Sequence, residues 1–168
     1  MVEVSIKYNG VSISSVEKDD AKYIKQWFMN RNNMMYYGTS DNAQIKEFDE
    51  IFLGYYISEC EIFLKIAKDN ELIGIFKGRI EFKDENIIWI SYFALDDIYI
   101  DNEEGKSFLE KILEYFARNY GINSFLIGVS DGEKRKLNFF KNNGFYVIRT
   151  GGIITSRTSS NIIMKKKI

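Results

Sequence analysis

Histidine and proline are absent from the 168 residues, and cysteine occurs once, as Cys60. Without histidine the commonest general base is gone, together with Ser-His-Asp and Cys-His nucleophiles and most zinc sites. A single cysteine excludes an internal disulfide and a cysteine-rich centre, so no metal is expected. Neither sign of charge is in excess: 23 Lys and Arg stand against 24 Asp and Glu. That balance argues against nucleic acid and an anionic membrane as partners. The run Lys165-Lys166-Lys167 reads as a solvated tail. No apolar stretch suits a membrane span and no leader-like N-terminus stands out, so a cytoplasmic protein is expected.

What is present suits one globular domain, 1–168, with 45% hydrophobic and 28% charged residues. The alternating runs Val2 to Tyr8 and Val11 to Ser14 flank Asn9-Gly10, the strongest short hairpin signal, so a hairpin spans 2–14. Ser15 reads as a helix N-cap before the stripe Ala21, Ile24, Trp27 and Phe28. A loop from Asn30 to Gly38 precedes a second helix carrying Ile45, Phe48, Ile51, Phe52 and Tyr55, with Asn42 as its cap. Three strand-like runs, 61–68, 71–81 and 87–95, are separated by short polar turns, which predicts an antiparallel meander. A helix after Gly105 carries Leu109, Ile112, Leu113, Phe116 and Tyr120 and ends at Gly121. A short apolar strand, 124–129, a helix, 133–142, and two closing strands, 145–149 and 161–165, complete the chain. Strands 87–95 and 124–129 are joined through a helix and should lie parallel.

The segment Asn102-Glu103-Glu104-Gly105-Lys106-Ser107 opens a helix after a strand. A helix N-terminus with a glycine can bring several N–H donors to a phosphate. The same residues also read as an ordinary helix start, capped by Asp101 or Asn102 and favoured by Glu103 and Glu104. Farther on, Leu137 to Phe145 ends in Asn143-Gly144-Phe145.

This order of elements, with the Gly105 turn and the Asn143-Gly144-Phe145 ending, resembles the cofactor-binding half of the GNAT superfamily of acetyl-CoA-dependent N-acyltransferases. The resemblance implies an α/β (α+β) fold: a mixed, mostly antiparallel sheet with helices on both faces and a splayed, parallel fourth and fifth strand. It implies acetyl-CoA as acyl donor, held by Asn102, Gly105, Lys106 and Ser107 at the turn. Phe93, Ala94 and Leu95 would lie along the pantetheine arm. Phe140 occupies the position of the family's usual tyrosine acid and cannot donate a proton; Glu133 replaces the usual helix-start asparagine. The implied reaction is direct attack of a primary amine of a small molecule or peptide on the thioester. The alternative is a lapsed module that keeps the fold as a CoA-binding or protein-interaction domain. A homodimer through the final strands is a further implication.

Acyl transfer needs a neutral amine, whose reference pKa is about 10.4, so some group must take its proton. Without histidine the candidates are carboxylates: Asp96 and Asp97 at the end of the fourth strand, then Glu81. Ser130 and Tyr146 are candidate acids. Each of the three carboxylates also reads, and more readily, as a turn former or a solvated strand end. Acceptor recognition is expected from Trp27, Arg31, Met35, Tyr36 and Tyr92, although Met and aromatic clusters are more often core.

Overall fold

The computed structural model describes residues 2–29, 34–35, 44–150 and 162–168. The opening hairpin forms as its turn dictates. Asn9 and Gly10 both have positive φ, 45° and 76°, which matches the twist of the flanking strands. Strand β1 (Ser5–Tyr8) pairs antiparallel with β2 (Val11–Ser15). Ser15 does not cap a helix. It ends β2, where its hydroxyl accepts the Val4 N–H at 2.8 Å and donates to the Val2 carbonyl at 3.1 Å. Glu17 and Asp20 instead form a capping box around a 3-10 turn, Lys18–Asp20, which leads into α1 (Ala21–Met29).

A two-residue strand, β3 (Met34–Met35), falls in the stretch expected to be loop. Helix α2 spans Gln44–Ile57; its expected cap, Asn42, lies outside the described residues. The meander follows as β4 (Glu61–Lys68), β5 (Glu71–Phe82) and β6 (Asn86–Asp96). Helix α3 (Glu103–Tyr120), strand β7 (Ser124–Val129), helix α4 (Lys134–Asn142), and strands β8 (Tyr146–Thr150) and β9 (Ile162–Lys167) complete the order.

The sheet runs β1-β2-β4-β5-β6-β7-β9-β8, with β3 beside β6. The β6–β7 pair is parallel and the other pairs are antiparallel. Helices cover both faces because each strand of the meander alternates two apolar sets. Ile24 of α1 and Tyr55 of α2 pack with Phe63, Ile75 and Ala94. Phe108, Leu109, Ile112 and Phe116 of α3 and Phe139 and Phe140 of α4 pack with Leu64, Phe76, Phe93 and Leu95 on the opposite face. Each such side chain contributes roughly 1.5–3 kcal/mol by burial. Helix α3 stops at Gly121, whose φ of 63° is the left-handed conformation a C-terminal glycine supplies.

Candidate functional site

The site begins with one extra residue. Lys77 pairs with Tyr92, but Gly78 pairs with Ile90, so Ser91 is a bulge in β6. Bulges bend a strand and end pairing. The parallel ladder between β6 and β7 runs from Ile87–Ser124 to Ile90–Ile127 and goes no farther. Beyond it, Gly128 and Val129 pair, among the described residues, with β9. The two strands therefore diverge from Ser91 onward and leave a wedge between Ser91–Asp96 and the end of β7. At its mouth, β3 pairs Met35 with Leu95 and Met34 with Asp96. Gly74 of β5 already occupies one edge of β6 at Leu95, so β3 lies along the other, the edge that faces the wedge.

Alternation splits the expected cofactor-arm residues between two faces. Phe93 and Leu95 belong to the core under α3 and α4, whereas Ala94 belongs to the core under α1 and α2. Tyr92 and Asp96 lie on the Ala94 face by the same period of two. There the Trp27 indole N–H donates to Asp96 Oδ1 at 3.1 Å. Burial pushes the Asp96 carboxyl above the usual carboxylate range; the Trp27 hydrogen bond opposes this and nearby Glu71 reinforces it. Opposite Tyr92, the buried Lys77 pairs with Glu61 at 2.6 Å.

Asp97 is not Asp96's companion. It opens a 3-10 turn, Asp97–Tyr99, and its carboxylate meets Arg135 of α4 at 2.9 Å. The second guanidinium nitrogen of Arg135 meets Asp101 at 2.6 Å. The hydrogen bonds that Arg135 donates to Asp101 and Asp97 raise its pKa further. Glu81 is remote. It pairs in register with Ile87, beside Lys83 at 3.4 Å. That is nine residues from Asp96 along β6, about 30 Å at strand spacing, so the two carboxylates cannot share a reaction centre.

At the start of α3, Asn102 is the N-cap: its Oδ1 accepts the N–H groups of Glu104 at 3.0 Å and Gly105 at 3.1 Å. Gly105 is required by packing inside the protein, because a Cβ there would overlap the Tyr99 carbonyl oxygen. Lys106 faces a cleft of about 400 Å³ between α3 and α4, with Asn102, Glu103, Arg135, Asn138 and Phe139 among its walls. Ser107 does not. It stands beside Tyr8 of the hairpin, whose buried phenol oxygen has no hydrogen-bond partner among the described residues and whose pKa burial pushes above its usual range. Asn143 also borders the cleft. Its Nδ2 donates to the Phe139 carbonyl at 2.8 Å, while its buried Oδ1 has no partner.

Phe140 does not reach the cleft. It is wholly buried, edge-on to Phe139 at 5.3 Å and Phe145 at 5.1 Å. Phe139 takes the cleft side and stacks on Phe93 at 5.7 Å. Ser130 follows β7, and its N–H donates to Glu133 Oε2 at 2.9 Å. Tyr146 is exposed on the edge strand β8. Arg31 and Tyr36 lie outside the described residues, and Met35 is placed by its backbone alone.

Two residues were missed in the sequence. Arg135 stands at the cleft, and Lys136 is buried on α4, 3.6 Å from Glu133. Burial lowers the Lys136 pKa below the usual lysine value, and Glu133 opposes the shift. A signal was available. Lys136, Phe139, Phe140 and Asn143 recur at helical spacing and are all buried, so the lysine stands on the apolar stripe.

No curated protein matches the sequence. Solved structures do match in fold. One is a Salmonella typhimurium acetyl transferase that modifies the N-terminal serine of the 50S ribosomal subunit protein L7/L12, at 14% identity, TM-score 0.73 and 96% coverage of both chains. A second is a ribosomal L7/L12 alpha-N-protein acetyltransferase in complex with coenzyme A, at 14% identity, TM-score 0.73 and 98% coverage of both. A third is a spermidine N-acetyltransferase chimera from Vibrio cholerae, at 13% identity and TM-score 0.70, covering 95% of this chain and 96% of its own. The family model for an acetyltransferase (GNAT) domain matches residues 13–151. The splayed parallel pair, the helices on both faces and this match agree, and the chain belongs to the GNAT acetyltransferase family.

Proposed function

We propose that the protein transfers an acetyl group from acetyl-CoA to a primary amine by direct attack on the thioester. The observation that carries this reading is the divergence of β6 from β7 after Ile90 and Ile127, in a chain of an acetyltransferase family. An extended acyl-pantetheine arm fits between two such strands, alongside β6 where its ladder with β7 has ended. The cleft beside α3 is the place for the phosphates: Lys106 and Arg135 stand there as phosphate-binding cations, alongside the carboxylates of Asp101 and Glu103. Asn143 borders this cleft, and its Oδ1 is buried with no hydrogen-bond partner among the described residues.

The amine enters from the α1–α2 face, where Trp27, Tyr92 and Asp96 stand. Asp96 is the carboxylate to orient the incoming ammonium and accept its proton, directly or through water. Its raised pKa makes it a better base than a solvated carboxylate. Acceptors are a small polyamine or a peptide N-terminus, the two classes represented among the structural relatives. The protein acts in the cytoplasm, and a homodimer would use the exposed edge strand β8.

A second reading, a lapsed CoA-fold module, draws support from Asn102. Its side chain occupies two of the N–H groups that a pyrophosphate would use.

Thermal unfolding with acetyl-CoA, ATP or NAD tests the donor. A ligand at about 100 times its dissociation constant adds roughly 2.7 kcal/mol, a rise of about 5–10 °C at this size. Release of free CoA thiol with spermidine and a serine-initiated peptide tests the reaction. A rise with acetyl-CoA but no thiol release over a broad amine panel overturns the transferase in favour of the lapsed module. No rise with any ligand overturns both.

A further inference from the structure

The wedge-facing edge of β6 has two neighbours in turn. Its ladder with β7 ends at Ile90 and Ile127. After residues 91–94 the short strand β3 takes up the same edge, with Met35 against Leu95 and Met34 against Asp96. On the opposite edge, β5 holds Ala94 and Leu95 through Ile75 and Gly74. Ala94 and Leu95 are buried, and backbone N–H and C=O groups at a buried edge need partners. At Leu95 and Asp96, β3 is the partner.

The proposed phosphate cleft lies beyond this contact. Its walls include Ile100, Asp101, Asn102, Glu103 and Lys106, which follow the end of β6 at Asp96. Phe139 joins cleft to wedge, since it lines the cleft and stacks on Phe93 of β6. A donor with its phosphates in the cleft and its thioester beside Ser91 lays its arm past Asp96 and then Leu95. Those are the positions that β3 covers.

We propose that β3 is a self-inhibitory strap: its backbone fills the β6 edge at the mouth of the wedge, and acetyl-CoA binds by taking that edge from it. This rests on the donor assignment made above. The exchange trades one set of backbone partners for another, because the pantetheine arm carries amide N–H and C=O groups of its own. A strand of two residues gives its neighbour a pair of backbone hydrogen bonds at most. Such a pair biases an equilibrium by roughly tenfold to a hundredfold. The strap therefore lowers the apparent donor affinity by about that factor without abolishing binding. Unbranched methionine lacks the strand preference of Val or Ile, which keeps β3 a weak partner. Were β3 a fixed wall, the donor would have to reach the wedge without this edge, and loosening β3 would weaken binding.

The test measures acetyl-CoA affinity of the full chain by titration calorimetry; acetyl-CoA carries no free thiol to attack a disulfide. Met34→Pro with Met35→Pro leaves β3 no N–H to give β6. Affinity should then rise about tenfold. Met35→Cys with Leu95→Cys, in a Cys60→Ser background, sets cysteines at register partners, within reach of a disulfide. Once oxidised, that protein should bind at least about tenfold more weakly than when reduced with a phosphine. Comparing its two redox forms cancels the cost of removing the Leu95 side chain. Should the cysteine pair fail to fold, the proline pair decides alone. Unchanged or weaker binding in the proline pair overturns the strap, and so does equal affinity of the oxidised and reduced forms. Absence of acetyl-CoA binding in the wild type and the proline pair alike overturns the donor assignment and the strap with it.

Discussion

Trp27 and Asp96, 69 positions apart, are joined by a hydrogen bond of 3.1 Å from the indole N–H to the carboxylate. The bond ties α1 to the end of β6 and fixes the half-buried carboxylate on the face proposed to receive the amine. Burial raises the Asp96 pKa and the indole partly lowers it again. The folded protein therefore holds the protonated form more readily than the unfolded chain. Its contribution to stability is greatest below the unfolded pKa and falls as pH rises through the folded one. Asp96→Asn keeps an acceptor for the indole without the charge. Its melting temperature should gain on wild type as pH rises from 3 to 7, while acetyl transfer falls. Paired melting curves across that range, with rates at pH 7, check both; a gap that narrows with pH refutes the assignment.

Trp27→Phe removes the donor and leaves the carboxylate buried. The acid limb of the pH–rate profile should move to higher pH, and stability should fall by about 1 kcal/mol for the lost bond. An unmoved acid limb would separate Asp96 from the proton step.

Asn102 supplies the cap of α3 through two N–H bonds. Asn102→Ala should cost about 1 kcal/mol in denaturant melts. It should also free those donors for a phosphate, so acetyl-CoA affinity should hold or improve. Abolished binding would mean that the Asn102 side chain itself touches the cosubstrate.

Gly105 has no room for a side chain because the Tyr99 carbonyl lies where its Cβ would go. Gly105→Ala should destabilise the free protein by about 1–3 kcal/mol, the usual cost of overpacking. A melting temperature equal to wild type would show that the 3-10 turn yields easily.

Arg135 is shared between Asp97 and Asp101, and all three side chains are largely in solvent, so the pairs add little stability. The carboxylates compete with a phosphate for the guanidinium. Asp101→Asn should tighten acetyl-CoA severalfold. Arg135→Gln should weaken it about tenfold, the worth of one charge-assisted hydrogen bond. Titration calorimetry measures both. Equal affinities in the two variants would place the phosphates elsewhere.

Much of the architecture was legible because it is written locally. Asn9-Gly10 specifies a tight turn, the stripe from Leu109 to Phe116 specifies a helix, and short polar turns specify the meander. The candidate site was less legible. Asp96 and Asp97 are neighbours in sequence, yet one bonds Trp27 and the other Arg135, because β6 ends between them and the chain turns away. Ser107 looked like part of the Gly105 turn but faces Tyr8, since a helix rotates successive residues by about 100°. Phe140 turns into the core and its neighbour Phe139 takes the cleft side for the same reason.

By itself, the sequence determined the hairpin, the α/β order, the parallel pair joined through α3 and the absence of histidine chemistry, all consequences of residue type and short-range spacing. The tertiary structure decided which carboxylate is desolvated, which cation meets which acid, and that Lys136 is buried beside the end of β7. Those properties depend on distance and dielectric between segments remote in the chain. The bulge at Ser91 belongs to the same class: one unpaired residue, invisible to periodicity, opens the wedge on which the proposed chemistry depends.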